Sequence, residues 1–276
     1  MKWAIAGKGS IPHVAEEARR VAALLEARGE EVLWEDAMAD AAGGTTLPLA
    51  QLDQEADLFV TVGGDGTILH AQAATQKPIF GINAGAIGFL AEVEPPQAEA
   101  GIDAILAGKH RIDERHKLSV HLGDATLPDA TNEVTLQTSR IAKLIRFRVD
   151  VDGETLDTVR GDGIIVSTPT GSTGYAMSVG GPLVHPGVSA TVLAPIAPFK
   201  LSARPWVVPA SSVVELTLMD RDSAQGVQQA RVVVDGQHGL DMDTGATLTV
   251  RQSARKARYV RLGGGFYERV RTKLIR

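Results

Sequence analysis

The sequence feature that most constrains this chain is a Gly-Gly-Asp-Gly turn at residues 63–66, placed between a predicted strand and a predicted helix. The apolar run 57–62 predicts a buried parallel strand, and residues 68–74 predict the start of a helix. Glycine lets a substrate approach the backbone closely, and a helix start offers free N–H groups that suit phosphate. The turn therefore favours phosphate chemistry, with Asp65 as its only acid–base group.

A glycine-rich turn of this length also occurs simply as a tight turn, so both interpretations stay open at this point. The stretch is not a Walker A loop, because no Gly-Lys-Ser/Thr follows it. It is not the Gly-x-Gly-x-x-Gly dinucleotide fingerprint either, because the third glycine is missing.

Composition limits the partners that the chain can have. The net charge of -5 disfavours a non-specific nucleic-acid binder, which would usually be basic. The absence of cysteine excludes disulfides, thiol catalysis and cysteine metal sites. Residues 1–7 lack the long apolar segment of a signal peptide, and no run approaches the roughly 20 apolar residues of a membrane span. We therefore expect a soluble cytoplasmic protein with neither nucleic-acid nor membrane partners.

Alternation of strand and helix patterns predicts an N-terminal α/β domain over residues 1–107, a doubly wound parallel sheet. Its strands are expected at 2–7, 31–35, 57–62 and 77–83, and its helices at 14–27, after the Asp65 turn, and from Pro95 to about Gly108. A C-terminal segment, 257–276, is expected to pack back on this domain, with a helix from Phe266 to Ile275.

Short alternating segments predict a C-terminal multi-stranded β domain over residues 108–256, which makes the fold α/β plus all-β. Asp152-Gly153 predicts a hairpin turn between two of its strands. The strands are expected at 111–122, 130–138, 144–152, 154–160, 163–168, 206–208, 213–219, 230–234 and 246–251.

A second candidate site lies in the β domain, where a strand ending at Thr168 leads into a loop rich in hydroxyls and glycines and then a helix. Hydroxyl residues at helix starts usually act as caps, so Ser172 and Thr173 are explained by capping alone. The density of hydroxyls across the whole loop favours a binding site for a polar, phosphorylated ligand. Both explanations remain possible from the residues.

Six motifs in this order resemble the NAD kinase family. The first motif is shared with diacylglycerol and sphingosine kinases, while the long Thr-Pro-Thr-Gly loop is far more specific. The motifs are Gly63-Gly64-Asp65-Gly66-Thr67, Asn132-Glu133, the loop Thr168 to Tyr175, Gly180-Gly181-Pro182, Leu201-Ser202-Ala203-Arg204-Pro205 and Asp235-Gly236-Gln237.

The resemblance implies an enzyme that transfers a phosphoryl group from ATP or polyphosphate to the adenosine 2′-hydroxyl of NAD, giving NADP. Asp65 matches the family's proton acceptor. Positioning and charge neutralisation supply most of the rate in phosphoryl transfer, and a divalent cation, Mg²⁺, would neutralise the donor phosphates. The family also implies a homodimer or homotetramer. Two loops, one from each domain, are expected to close over a single dinucleotide.

The resemblance also assigns the contacts to NAD by position. They are Asp65, Gly66, Phe89, Asn132, Glu133, Lys143, Arg160, Asp162, Thr170, Thr173, Gly174, Tyr175, Ser178 and Gln237. The family usually has Ala at the position of Gly174 and His at the position of Phe199, and the second change puts the role of that histidine in doubt.

Several of these residues also have ordinary structural explanations. Arg160 and Lys143 fit solvated cations, Asp162 fits a turn acid, and Phe89 fits a core residue. Tyr175 fits a half-buried side chain whose hydroxyl seeks a partner. The histidines show no metal-ligand spacing, so no structural metal is assigned.

Two other functions compete with the kinase. A diacylglycerol- or sphingosine-type lipid kinase shares the first motif, but not the Thr-Pro-Thr-Gly loop. A catalytically silent NAD-binding protein shares the fold, although the intact Asp65 disfavours it. The choice between ATP and polyphosphate is not readable from the sequence.

Overall fold

In a computed structural model that describes residues 1–85, 88–220 and 229–274, the chain divides into two compact units. The first unit comprises Met1–Glu114 together with Ala257–Arg276, and the second comprises Arg115–Lys256. The N-terminal part of the first unit thus ends a few residues after the predicted position, 107.

Strands and helices alternate along the N-terminal part of the chain, as the sequence predicts. The elements are β1 (Lys2–Gly7), α1 (Pro12–Glu26), β2 (Glu31–Glu35), β3 (Thr46–Leu47), α2 (Leu49–Glu55), β4 (Leu58–Gly63), α3 (Asp65–Ala74), β5 (Ile79–Asn83) and α4 (Ala98–Leu106).

Strands then dominate until a final helix. The elements are β6 (Arg111–Leu122), β7 (Ala125–Ala130), β8 (Glu133–Thr138), β9 (Ile145–Val151), β10 (Glu154–Gly161), β11 (Gly163–Ser167), α5 (Tyr175–Ser178), β12 (Ala190–Ile196), β13 (Trp206–Pro209), β14 (Val214–Leu218), β15 (Ala230–Val234), β16 (His238–Met242), β17 (Thr247–Arg261) and α6 (Phe266–Lys273).

The first unit is built on a parallel sheet in the order β5–β4–β1–β2–β3, and Tyr259 of β17 pairs with Ile79 of β5. Alternate side chains of a strand face opposite sides of the sheet. Trp3 and Ile5 pack in a core with α1 and α4, whereas Ala4 and Ala6 pack in a second core with α2 and α3. Helices therefore cover both faces, which confirms the predicted doubly wound architecture.

The turn between β4 and α3 depends on Gly63, which has φ +154°. A Cβ at this position would lie 2.3 Å from Oγ1 of Thr67, so a side chain does not fit. The helix begins immediately afterwards at Asp65. The glycine thus brings an acidic residue to the first position of a helix, where a negative charge is favourable.

The second unit is built from antiparallel strand pairs. One sheet runs in the order β13–β12–β11–β8–β15–β16, and another series pairs β10, β9, β14 and β17. Apolar residues of both sheets share one core, among them Val134 and Val166 from the first sheet and Phe147 and Leu216 from the second. The predicted all-β domain is therefore confirmed as an antiparallel fold.

The structure corrects several predicted strands. The strand predicted at 130–138 is observed as β8 and starts only at Glu133, because Ala130 ends β7 and the chain bends at 131–132. The strand predicted at 246–251 continues to Arg261. The helix predicted after Thr173 is only four residues long. The C-terminal helix is observed as α6, although Ile275 lies outside the described residues. Within the described residues, no helix has the length and apolar character that a membrane span requires.

Candidate active site

Asp65 is held in place by the backbone that follows β5. Its Oδ2 accepts a hydrogen bond from the N–H of Phe89 at 2.8 Å, and its Oδ1 accepts one from the N–H of Leu90 at 2.9 Å. Each carboxylate oxygen has two lone pairs, so these two hydrogen bonds leave Asp65 with capacity for a further donor. The carboxylate is partly buried and fixed in direction, which suits a group that must receive a proton from one defined position.

Burial raises the pKa of Asp65 above its usual value. The backbone N–H donors and the charge of Lys273 act in the opposite direction, and burial dominates. A carboxylate whose pKa moves toward neutrality holds a proton more tightly and is a stronger base. The environment of Asp65 therefore increases its basicity.

The two other predicted site residues of the first unit differ in exposure. Gly66 is exposed at the second position of α3, and a Cβ built there meets no heavy atom within 4 Å. Phe89 is buried, and its ring packs edge-on against Phe266 with centroids 5.9 Å apart. Phe89 thus contacts Asp65 through its backbone N–H, while its buried ring packs against Phe266.

Sequence reasoning missed a group of C-terminal side chains that contact the segment 88–92. Lys273 donates to the carbonyl of Gly88, and Arg261 donates to the carbonyl of Leu90 at 2.9 Å. The pair Arg261–Glu92, also at 2.9 Å, is almost fully buried. These residues are far from Asp65 in sequence, and no local pattern signals contacts of this kind.

In the second unit, Asn132 lies in the bend before β8 and Glu133 is the first residue of β8, and Asp235 anchors this bend. Oδ1 of Asp235 accepts the N–H groups of Asn132 at 2.8 Å and Glu133 at 3.0 Å, and its Oδ2 accepts that of Thr131 at 2.8 Å. Asp235 belongs to a motif that the sequence singled out for Gln237. The structure assigns the acid of that motif a positioning role.

Two atoms of the Asn-Glu pair are buried and unsatisfied. Oδ1 of Asn132 and Oε2 of Glu133 have no hydrogen-bond partner among the described residues. Burial, followed by the nearby charge of Asp235, raises the pKa of Glu133 to about 8. Buried polar atoms are costly unless they are paired, so these two atoms have unused capacity for a hydrogen bond to a polar ligand.

The hydroxyls of the loop that follows β11 are used mainly to build the loop itself. Oγ1 of Thr168 donates to the carbonyl of Thr131 at 2.7 Å and accepts the N–H of Gly171 at 3.1 Å. Oγ of Ser172 donates to the carbonyl of Pro169 at 2.7 Å. Oγ1 of Thr173 donates to the carbonyl of Thr170 at 3.2 Å. Hydroxyl density here reflects internal structure, and Thr170 itself is buried.

The end of this loop offers more accessible groups. Gly174 stands beside the Asn-Glu pair, since a Cβ built on it would lie 3.7 Å from Oε2 of Glu133. Tyr175 is partly exposed, and its hydroxyl accepts a hydrogen bond from Gln137 at 2.9 Å. Ser178 is exposed at the end of α5. The loop therefore brings Gly174 to Glu133, within one unit.

Three of the remaining predicted residues of the second unit are exposed, and Asp162 is half-buried. Arg160 is exposed, and its guanidinium lies 5.4 Å from the ring centre of Phe199. Lys143 is exposed in the turn before β9, and Gln237 is exposed in the turn before β16. The backbone of Asp162 links two neighbouring strands, because its carbonyl accepts the N–H of Thr138 at 2.8 Å.

A cation such as Mg²⁺ would have few protein ligands here. In the part of the chain that the structure describes, no three His, Asp or Glu side chains are grouped to hold a metal ion. Mg²⁺ commonly keeps several waters and binds through substrate phosphates with one or two carboxylates. The residues present fit an ion held chiefly by the phosphates of a nucleotide.

Comparison with known proteins was made for the sequence and for the structure. The sequence model of the ATP-NAD kinase N-terminal domain matches residues 5–110, and that of the C-terminal domain matches residues 131–262. The NAD kinase of Methanothermobacter thermautotrophicus is 40% identical over 286 residues, covering 100% of this chain and 96% of the relative. The NAD kinase of Thermococcus kodakarensis is 43% identical, covering 83% and 81%.

Two solved structures resemble the whole chain. The crystal structure of an NAD kinase from Archaeoglobus fulgidus in complex with ATP has a TM-score of 0.82 at 31% identity and covers 98% of this chain and 99% of that one. The crystal structure of yeast NADH kinase complexed with NADH has a TM-score of 0.91 at 25% identity, with 100% and 87% covered.

Proposed function

Because this chain belongs to the NAD kinase family and is therefore an NAD kinase, we propose that Asp65 accepts the proton of the adenosine 2′-hydroxyl while that oxygen attacks a phosphoryl group of ATP or polyphosphate. The bond from the hydroxyl oxygen to phosphorus forms as the bond to the leaving phosphate breaks, and the product is NADP. The observation that carries this assignment is the pair of hydrogen bonds that fixes the Asp65 carboxylate.

The role of base suits Asp65 for two physical reasons. The N–H groups of Phe89 and Leu90 fix the carboxylate, so a hydroxyl bound at the free lone pairs would meet an oxygen of constant position. Burial increases its affinity for a proton. In phosphoryl transfer the protein mainly positions the reactants and neutralises charge, so one well-placed carboxylate is sufficient for the proton.

The second unit supplies groups for NAD. The unsatisfied atoms of Asn132 and Glu133 are suited to the hydroxyls and amine of an adenosine, and Gly174 leaves space next to them. A protonated Glu133 donates a hydrogen bond, whereas the amide oxygen of Asn132 accepts one. Binding of a nucleoside at this place would satisfy groups that burial otherwise leaves unpaired.

A divalent cation, Mg²⁺, would enter on the donor phosphates and supply the charge that stabilises the transferring group. The cation would have the same role with ATP and with polyphosphate, because both donors present phosphate oxygens to it. The lipid kinase and the silent NAD-binding protein are not favoured. The relatives that this chain matches over most of their length are NAD kinases.

We also propose a cytoplasmic homodimer or homotetramer. Trp206 and Val207 are about half exposed on β13, which is an edge strand of its sheet. Exposed apolar side chains on an open strand edge are a common place for contact with another copy. The absence of cysteine fits a reducing compartment.

The assignment is tested with purified protein, NAD, Mg²⁺ and either ATP or polyphosphate, with NADP measured by an NADP-specific dehydrogenase. We expect Asp65→Asn to lower kcat by about 10²- to 10⁴-fold with little change in the KM for NAD, because the base is lost while binding is kept. Asp103→Asn, an exposed carboxylate on α4, is the control. Full activity in Asp65→Asn would exclude Asp65 as the base.

A further inference from the structure

A single peptide group connects Lys273 to Asp65. The Nζ of Lys273 donates to the carbonyl oxygen of Gly88. The other side of the same peptide group is the N–H of Phe89, which donates to Oδ2 of Asp65 at 2.8 Å. The cation and the carboxylate therefore bind opposite ends of one planar amide.

A similar arrangement lies two residues further along the chain. Nη1 of Arg261 donates to the carbonyl of Leu90 at 2.9 Å. The N–H of that peptide group belongs to Ala91, whose backbone lowers the pKa of Asp65. Two cations thus bind carbonyl oxygens of the same short segment whose Phe89 and Leu90 N–H groups hold the Asp65 carboxylate.

The Arg261 arrangement is rigid. The side chain of Arg261 is 1% exposed, and Oε2 of Glu92 accepts hydrogen bonds from Arg261 at 2.9 Å and from Arg269 at 3.1 Å. Oε1 of Glu92 accepts the N–H of Leu262 at 2.8 Å. This network fixes the segment 88–92 to the C-terminal part of the chain.

Glycine is required at position 88 for this contact. A Cβ on Gly88 would lie 2.7 Å from Oδ1 of Asn83, so a side chain would displace the segment. Asn83 is itself held by a hydrogen bond to Glu94 at 3.0 Å. The peptide that links Lys273 to Asp65 therefore lies against β5 with little freedom to move.

We propose that Lys273 is a positioning residue of the kinase, which orients Asp65 and adjusts its basicity through the Gly88–Phe89 peptide group. The proposal rests on Asp65 being the base. A cation on a carbonyl oxygen withdraws electron density from the amide and makes its N–H a stronger donor. A stronger donor holds Oδ2 of Asp65 more firmly in one direction.

The charged groups around Lys273 and Asp65 determine whether loss of the Lys273 charge raises or lowers the pKa of Asp65. Those that act on Lys273 are Asp65, Glu94, Arg269 and Arg261, and burial lowers its pKa below the usual value. The charge of Lys273 lowers the pKa of Asp65, against the larger effect of burial. Removal of that charge should therefore raise the pKa of Asp65 further and leave its carboxylate less firmly oriented.

Lys273→Met tests the proposal, because methionine keeps most of the side-chain length and removes the charge and the donors. Arg271→Met is the matched control, since Arg271 is an exposed cation on the same helix. We expect Lys273→Met to lower kcat about ten-fold, as the loss of one charged hydrogen bond predicts, with the KM for NAD changed by less than about two-fold. Lys273→Arg, which keeps the charge, should recover most of kcat.

The pH profile separates positioning from a merely structural role. The acid limb of kcat/KM reports the free enzyme's base, and in Lys273→Met it should move to higher pH. An acid limb identical to that of the unmodified enzyme, or an equal shift in Arg271→Met, would refute the proposal. Lys273 also lines an open cleft of about 710 Å³ with residues of α4 and α6. A large rise in the KM for ATP with an unshifted acid limb would instead show direct binding of the donor.

A double variant distinguishes this proposal from the assignment of the base. In an Asp65→Asn background, Lys273→Met should cause no further loss of kcat, because the group on which it acts is already neutral. Additive losses would refute the positioning role while leaving Asp65 as the base. Full activity of Asp65→Asn alone would instead refute the base, and the proposal with it.

Discussion

The carboxylate of Asp235 accepts a hydrogen bond from the backbone N–H of Asn132 at 2.8 Å. Together with its bonds to the two neighbouring N–H groups, this contact fixes the turn that presents the Asn-Glu pair. Asp235 has φ +48°, a left-handed conformation that Asp and Asn tolerate better than most other residues. An asparagine at this position would therefore test the carboxylate without straining the backbone.

We expect Asp235→Asn to lower the free energy of unfolding by about 1–3 kcal/mol and to raise the KM for NAD. Asparagine has only one acceptor oxygen in its side chain. In the variant its NH₂ group would therefore face a backbone N–H that a carboxylate oxygen of Asp235 accepts in the unmodified protein. Chemical denaturation and steady-state kinetics measure the two effects. Asp241→Asn is the control, because Asp241 forms an exposed ion pair with Arg231 that contributes at most about 1 kcal/mol. Equal stability of the two variants would contradict this account of the turn.

Glu133 should make the stability of the protein depend on pH. Its pKa is raised from 4.5 to about 8 in the folded protein, so between these values the folded protein holds a proton that the unfolded chain has released. The free energy of unfolding therefore falls as pH rises through this window, by at most about 1.4 kcal/mol per pH unit from this group.

The glutamine side chain of Glu133→Gln cannot ionise, so the free energy of unfolding of this variant should depend less on pH. The variant should also be more stable than the unmodified protein at pH 8. Denaturation at pH 5.5 and pH 8 measures the slope, and Glu154→Gln, at an exposed position of β10, is the control. The same slope with and without the carboxyl group would show that Glu133 is not the origin of the pH dependence.

Gly66→Ala should separate stability from activity. Gly66 is exposed in α3 with open space where a Cβ would lie, and replacing a helical glycine by alanine stabilises a helix by up to about 1 kcal/mol. The methyl group would however occupy the space through which a substrate approaches the backbone next to Asp65, so kcat/KM should fall.

Thermal unfolding and initial rates measure both sides of this prediction. Gly43→Ala is the control, because Gly43 is exposed in a loop and a Cβ there also meets no heavy atom within 4 Å. A fully active Gly66→Ala enzyme would mean that the substrate does not approach the backbone at this turn.

Local patterns in the sequence predicted the elements whose physics is local. The apolar run before the Asp65 turn is β4, and the helix that follows begins at Asp65. The hairpin predicted at Asp152-Gly153 joins β9 to β10, and both turn residues have positive φ. These features depend on a few neighbouring residues, so a short stretch of sequence contains all the information needed.

Strands that depend on distant partners were missed. All residues of β12 are buried, and the strand contains Pro195, which cannot donate a ladder hydrogen bond. The residues of β16 are largely exposed and show no alternation. Both strands form because neighbouring strands supply their hydrogen bonds, and no local sequence pattern indicates those partners.

The candidate site shows the same division. Asp65 and the Asn-Glu pair were identified from their motifs, and the site residues assigned by resemblance remain predictions. The density of hydroxyls in the loop after β11 favoured a ligand-binding site, yet the hydroxyls of Thr168 and Ser172 donate to the backbone carbonyls of Thr131 and Pro169. The contacts of Lys273 and Arg261 with the segment 88–92 join parts of the chain that are distant in sequence, so only the structure reveals them.

The first unit is completed by residues 257–274, which the ribosome adds only after the whole of the second unit. Until Arg261 and Lys273 emerge, the carbonyls of Leu90 and Gly88 lack their cationic donors, and β5 lacks its neighbour Tyr259. A nascent chain halted before this point would therefore present its aspartate turn without the support that orients it.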